Sequence, residues 1–455
     1  MAPDDVVSMR DANGQSDHAP EVGGLSKLDD FLALHPGIRF LRLQWQDMSG
    51  ILRARVVPIE VGRAMAAGKK TIRSFPNSLS CVVENSLMPT ATLLGATTGL
   101  PDWDSLQSRP SLDLLYATVM CQMVRHSPKS PAPNGDHCPR RALATIVDKA
   151  FRLFQMQFLV GFEVEFEVMK RTAKGEMTPH SLGLGASACA GLRDPCYAHV
   201  EEAMQVLLQA GVGLEAVHSE GVRGQYEFVL GPRPPLQAVD ELVLVHDTLK
   251  RVFARHELVA TVFPRPVPSR SQSNGQHTHV SIHPPHMEDN FLAGILQKLP
   301  GLCALCLPYN LSYERIKPLQ AGDVVSWGTE NRGVPIRRIK PGHWEMRFVD
   351  ATANMYLALA AILGAGLIGY ENRVPLLIPD MGIDPGATEH GGHDSVPLPR
   401  TLSEALDRLV EDSSELDAVM QGKALHHYLS LKRFEASRLH DMGVEEARLL
   451  LTELF

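Results

Sequence analysis

Between Gly161 and Val168 apolar and acidic side chains alternate without a break. Phe162, Val164, Phe166 and Val168 fall on one side of an extended chain, and Glu163, Glu165 and Glu167 on the other. This period of two predicts a strand over Gly161–Met169. Asn274–Ile282 repeats the pattern with His277, His279 and Ser281 on a common face, and Trp344–Phe348 sets Glu345 beside Arg347. Nearer the start, Phe40–Pro58 reads as two strands joined at the turn-prone Asp47-Met48-Ser49-Gly50. Helical spacing predicts a helix over Arg141–Phe154. The most apolar stretch, the 15 residues Tyr356–Tyr370, contains Gly364, Gly366 and Gly369 and predicts a buried helix. It falls short of the ~20 residues that span a bilayer. Three prolines in Ser127–Asp136 mark that segment as a linker, and the strands and helices beyond it predict one large α+β domain.

Composition narrows the function more than the fold. The chain has 455 residues, 44% of them hydrophobic and 21% charged, with a formal net charge of -8. This length accommodates about two to four domains and an enclosed site. Net acidity disfavours nucleic acid or an anionic membrane as the main partner, since both reward Lys and Arg. Residues 1–24 are polar and lack the apolar run of a signal peptide, so they are expected to form a disordered tail. Seven unevenly spaced cysteines favour reduced thiols and a cytoplasmic location. Cys303 and Cys306 form a lone CxxC in an apolar run, which suits core packing better than zinc.

The three glutamates of the alternating strand fit a solvated sheet face, the commoner case. Enclosed about 7 Å apart, they would need a cation between them. Glu220 and Glu227, flanked by glycines in His218–Glu227, can be presented by a loop between two strands. Were Glu163, Glu165, Glu220 and Glu227 to converge with His277 and Glu345, five Glu and one His would form an oxygen-rich set suited to Mg²⁺ or Mn²⁺. Arg315–Arg347 carries seven Lys/Arg against three acids, a local charge of +4, matched to a polyphosphate and a carboxylate. Neither a GxxxxGK[ST] loop nor a GxGxxG after a strand is present, so a nucleotide would be held by metals and arginines. A metal hydrolase built on His277-x-His279 would need further His or Asp ligands and is the weaker option.

The segments GFEVEFEV, SEGVRGQYE, NGQHTHVSI, SYERIKP, SWGTENRGVPIRR, HWEMRFVDATANMYLALAAILGAGLIG and LPRTLSEAL stand in one order along the chain. In that order the chain resembles the glutamine synthetase family, in particular the class I branch with the γ-glutamyl-polyamine and γ-glutamyl-amine ligases. The resemblance implies a small N-terminal β-grasp domain, 25–130, and a catalytic domain, 137–455, whose curved antiparallel sheet forms an open barrel flanked by helices. It also implies a homo-oligomeric ring, a decamer or dodecamer, with active sites between subunits. Two or three Mg²⁺ or Mn²⁺ ions are implied per site. Glu165, Glu220 and Glu227 match the ligands of the metal nearer the substrate, and Glu163, His277 and Glu345 those of the metal on the ATP phosphates. His279, Ser281 and Arg337 match positions that touch ATP. Gly275, Arg315, Arg332 and Arg347 match those that bind L-glutamate and stabilise the phosphoryl group, and Asp47 matches the aspartate that the adjacent subunit contributes to the ammonia site, so that the resemblance implies catalytic roles for Asp47, Arg332 and Arg347. The implied reaction is attack of the γ-carboxylate of glutamate on ATP, then displacement of phosphate by ammonia or an organic amine. Two departures stand out: Ala321 replaces a glutamate that helps hold ammonium, and Asn274-Gly275-Gln276 replaces Ser-Gly-Met. A catalytically silent structural or regulatory member is the alternative, opposed by the complete ligand set, because clustered carboxylates weaken a fold that holds no cation.

Overall fold

The computed structural model describes residues 23–91, 93–127, 130–181, 183, 185–189, 194–270, 272–285, 288–382 and 396–455, with the backbone alone at 130–133. Most of the expected tail, 1–24, lies outside the described residues, and Gly24 already opens helix α1 (Gly24–Leu34).

The expected hairpin forms: β1 (Phe40–Gln46) pairs antiparallel with β2 (Leu52–Pro58), Gln46 opposite Leu52. Helix α2 (Ile59–Ala66) follows, then the short β3 (Arg73–Ser74), β4 (Ala96–Pro101) and β5 (Gln107–Ser108). The long β6 (Tyr116–Ser127) pairs parallel with β1 and antiparallel with β4, giving the order β2-β1-β6-β4-β3. The proline-rich segment is not a free linker. Ser130–Asn134 forms β7, which folds back antiparallel on β6. Proline supplies no ladder N–H but is tolerated at a sheet edge, where one side of the strand needs no partner.

Helix α3 (Pro139–Phe154) begins with proline at its first turn, where a missing N–H costs nothing. The second sheet is built on β8 (Gln157–Arg171), with β9 (Met177–Pro179) beside it. Helix α4 (Tyr197–Gln209), β10 (Leu214–Ser219), β11 (Gln225–Arg233), helix α5 (Pro235–Ala254), β12 (Leu258–Thr261) and β13 (Gln276–His283) follow. After helix α6 (Glu288–Cys306) come β14 (Trp327–Thr329), β15 (Ile336–Lys340) and β16 (His343–Met346). The order is β10-β11-β8-β13-β16-β15-β14, antiparallel except for the parallel pair β14–β15. This is the expected α+β architecture, a curled half-barrel sheet flanked by helices.

One side of β8 carries the core: Phe166 packs edge-on against Phe228 and Phe253, with centroids 5.4 and 5.8 Å away. Helix α7 (Met355–Glu371) is buried from Met355 to Gly369, as its composition predicts. Its glycines admit α6: a Cβ at Gly294 would sit 2.3 Å from the Ala365 carbonyl and 2.7 Å from Gly369 Cα. Cys303 and Cys306 are fully buried on α6 and serve the core. Helices α8 (Leu402–Val419), α9 (Ala424–Met442) and α10 (Val444–Leu454) complete the chain. The first sheet packs a core of its own around Leu41, Leu43, Trp45, Val57, Ala117 and Val119, while Met48, Val82, Val83 and Met120 of the first unit join the larger core of the second. Arg140, 4% exposed, clamps the two units by pairing with Asp102 at 2.6 Å and Asp240 at 2.8 Å. Among the described residues no helix is long and apolar enough to cross a membrane.

Candidate active site

The register of the second sheet sets acids and bases in rows. His218 on β10 lies opposite Glu227 on β11, and Glu227 opposite Glu165 on β8. Glu163 lies opposite His277 on β13, and Glu345 on β16 lies between His279 and Arg337. Like charges facing each other across strands destabilise a sheet, so the Glu227–Glu165 pair calls for positive charge between them.

These rows line a cavity of about 550 Å³, with Glu163, Glu165, His218, Glu220, Glu227, His277, Arg315, Arg332 and Arg347 in its wall. Two clusters stand out, in each of which three ligand atoms lie within 4.8 Å of one another: Glu163, His277 and Glu345, and His218, Glu220 and Glu227. His277 Nδ1 is 2.9 Å from Glu163 Oε2 and 3.3 Å from Glu345 Oε1, and His279 Nε2 is 3.1 Å from Glu163 Oε1. His218 Nε2 is 2.9 Å from Glu220 Oε1 and 3.6 Å from Glu227 Oε1. Glu165 stands beside the second cluster, where its Oε2 accepts from the Gly275 N–H at 3.0 Å and from Gln225 Nε2 at 3.4 Å. All six carboxylate and histidine positions expected to bind metal therefore gather here. His218 is the member that the sequence reading missed. Its signal was the i, i+2 spacing from Glu220, which puts two side chains on one face of an extended segment.

Charge is unevenly balanced between the clusters. Burial, and then the charges of Glu163, Glu165, Glu220 and Glu345, push Glu227 up to about 9. Burial, then Glu165, raises Glu220 as well. Glu163 and Glu345 lie below the usual carboxylate range: burial pushes each up, but hydrogen bonds from His277 and His279 at Glu163, and the charges of His277 and Arg347 at Glu345, outweigh it. Crowded, desolvated carboxylates with a few imidazoles fit divalent cations, which would replace repulsion by coordination.

The basic run divides. Arg315 and Arg347 are 2% and 4% exposed, and Arg332 stands exposed at the rim. Arg315 donates to the Asn274 carbonyl and, at 3.3 Å, to the Arg347 carbonyl, while Arg347 donates to Glu345. The Nε atoms of both are buried without a hydrogen-bond partner among the described residues. A Cβ at Gly275 would lie 2.9 Å from Arg315 Nη1 and 3.1 Å from Glu165 Oε1, so glycine alone lets backbone approach both groups. Arg337 is taken by Glu345 at 3.0 Å and by Glu330, and Arg338 by Glu288 at 3.0 Å. The +4 segment is thus not one anion patch. Three of its arginines face the cavity, and the others pair elsewhere or lie outside it.

His279 and Ser281 continue along the His277 face of β13, where Ser281 lies opposite His343. Asp47 is not brought to the cavity. It is fully buried in the β1–β2 turn, where its carboxylate accepts from the N–H groups of Ser49 and Ile51, both at 3.0 Å, and pairs with Arg53 at 2.7 Å. Burial first, opposed by Arg53, places Asp47 at about 6. Ala321 is fully buried, and the neighbouring residues that line the cavity are Leu319 and Gln320.

The profile of the glutamine synthetase catalytic domain matches residues 136–448. Over 449 residues the chain is 32% identical to protein fluG of Emericella nidulans, covering 95% of this chain and 51% of that protein, so it spans about half of fluG's length. It is 31% identical over 408 residues to the gamma-glutamylpolyamine synthetase GlnA3 of Streptomyces coelicolor, covering 82% and 84% of the two chains. A glutamate–isopropylamine ligase from a Pseudomonas species is 27% identical over 90% of this chain and 95% of its own. A solved structure of ligand-free GmaS superposes with a TM-score of 0.77 at 24% identity, covering 92% and 97% of the two chains, which supports the fold. With the catalytic-domain profile spanning most of its length and the sheet carrying that family's order of motifs, this chain belongs to the glutamine synthetase family.

Proposed function

We propose that this chain is an ATP-dependent carboxylate–amine ligase that activates the γ-carboxylate of L-glutamate and couples it to ammonia or an organic amine. The observation that carries the proposal is one cavity holding two carboxylate-rich clusters beside two buried arginines. The names of relatives, a glutamine synthetase, a gamma-glutamylpolyamine synthetase and a glutamate–isopropylamine ligase, support the glutamate donor and a range of amine acceptors. Divalent cations, Mg²⁺ or Mn²⁺ and two or three per site, held by Glu163, His277 and Glu345 and by Glu165, Glu220 and Glu227, supply charge neutralisation at phosphate oxygens when bound.

The protein's own residues do the positioning. Arg315, its fork fixed by two backbone carbonyls, and the Gly275 backbone hold glutamate. A γ-carboxylate oxygen attacks the γ-phosphorus of ATP, the bond to the bridging oxygen breaks, and ADP leaves. Arg332 at the rim and Arg347 in the wall offset charge that grows on the transferring phosphoryl group. The amine nitrogen then attacks the acyl phosphate carbon, phosphate leaves with the bonding pair, and the nitrogen gives up a proton. His279, Ser281 and Arg337 lie on the side of the sheet proposed to face the nucleotide. We also propose the ring assembly, with Asp47 shaping the turn offered to a neighbouring subunit, a role its fully paired carboxylate suits.

The test incubates purified protein with ATP, Mg²⁺, glutamate and a panel of ammonia, hydroxylamine, ethanolamine, alkylamines and polyamines. Amine-dependent phosphate release with formation of the matching γ-glutamyl amide is the expected result. No amine-dependent release across the panel would overturn the proposal.

A further inference from the structure

The substrate-side cluster contains a side chain that the metal assignment above does not use. We infer that His218 is a ligand of the cation held by Glu220 and Glu227, which makes this site prefer Mn²⁺ or another first-row transition ion to Mg²⁺. The inference rests on the proposed ligase reading for the presence of a cation and goes beyond it in naming a ligand and a metal preference.

Three observations carry it. His218 is the last residue but one of β10, where pairing opposite Glu227 fixes its backbone and directs its ring into the cavity. A single ring atom, Nε2, faces both carboxylates, at 2.9 Å from Glu220 and 3.6 Å from Glu227. Donor atoms bound at about 2.0–2.3 Å and roughly right angles around one ion are separated by about 3 Å, so one ion can take all three atoms with little rearrangement. Finally, one oxygen of Glu165 is occupied by the Gly275 N–H and Gln225, so the ring nitrogen stands where a further ligand is wanted.

The chemical consequence follows from ligand type. Mg²⁺ takes oxygen donors and keeps much of its water, whereas an imidazole nitrogen raises affinity for first-row transition ions. With His218 included, each cluster holds one imidazole among carboxylates.

The experiment uses the full chain and Mn²⁺ itself as the probe. In a His277→Asn/Glu345→Gln background, which disables the other cluster, one equivalent of Mn²⁺ is added and pulsed EPR reads nitrogen nuclei coupled to the ion. The expected result is an imidazole ¹⁴N coupling that disappears when His218→Asn is added. Calorimetry should then show Mn²⁺ binding about tenfold or more weaker, with a smaller loss for Mg²⁺. If the background variant fails its circular-dichroism check, the otherwise unmodified chain serves, with two classes of ¹⁴N coupling expected to fall to one on His218→Asn. Tight Mn²⁺ binding without a nitrogen coupling, or with one that His218→Asn leaves intact, overturns the inference while the ligase reading stands. Absence of Mn²⁺ binding in the unmodified protein also overturns the inference, whereas the ligase reading falls only if the amine panel with Mg²⁺ releases no phosphate.

Discussion

Two regions of this molecule bury carboxylates, and they do so in opposite ways. Around the first unit, Glu435 is 1% exposed, accepts from Ser49 Oγ at 2.7 Å and the Val83 N–H at 2.9 Å, and pairs with Lys432, also 1% exposed, at 2.5 Å. Asp47, close by, is likewise satisfied by Arg53 and two backbone N–H groups. In the cavity of the second sheet, Glu165, Glu220 and Glu227 face one another with too few cations of the chain's own to offset them. The first arrangement is complete and supports the fold. The second is incomplete, and what would complete it is a ligand.

The comparison can be broken from either side. The largest effect is expected at Glu435: replacing it with Ala strands the Lys432 charge in the core and should cost about 3–5 kcal/mol. Urea unfolding should show the same loss with Mg²⁺ or with EDTA. Next, Arg347→Ala should lower kcat about 100- to 1,000-fold, some 2.7–4 kcal/mol of transition-state stabilisation. Steady-state kinetics would contradict this if KM alone changed. Third, divalent metal at a hundred times its dissociation constant should stabilise the protein by about 2.7 kcal/mol. Glu227→Gln should remove the part of that gain that comes from its own cluster in a thermal-shift assay yet leave the metal-free midpoint unchanged at neutral pH, because Glu227, pushed up to about 9, already keeps its proton there. The smallest effect belongs to Asp47→Asn, within about 1 kcal/mol at neutral pH, since the lost Arg53 pair is offset by relief from burying a charge. Burial raises Asp47 from 3.8 to about 6, so the native state binds that proton more tightly than the unfolded chain does. Its ionisation penalty is complete above about pH 6 and is relieved as pH falls from there towards 3.8. The stability difference between wild type and Asp47→Asn should follow that window.

Much of this was legible in the sequence because period-two alternation is local. β8, β13 and β16 each announced which residues share a face, and α7 announced its burial by composition. What alternation could not reveal was which strands become neighbours. His218 gains its meaning only from lying opposite Glu227, a pairing set by the turn at Gly221–Gly224. The proline-rich segment misled because composition records a poor strand former, whereas an edge position on β6 accepts one. Asp47 was matched by motif, but its commitment to Arg53 is a tertiary fact. Likewise Ala321 marks a departure from the family pattern, yet it is Leu319 and Gln320 that face the cavity.

The central claim is that the cavity lets a glutamate γ-carboxylate attack ATP. It is tested most directly by supplying glutamate labelled with ¹⁸O in the γ-carboxylate, with ATP, divalent metal and the best acceptor amine, and weighing the phosphate released. Passage through an acyl phosphate predicts one labelled oxygen per phosphate, in step with formation of the amide. Phosphate released without label would contradict the account.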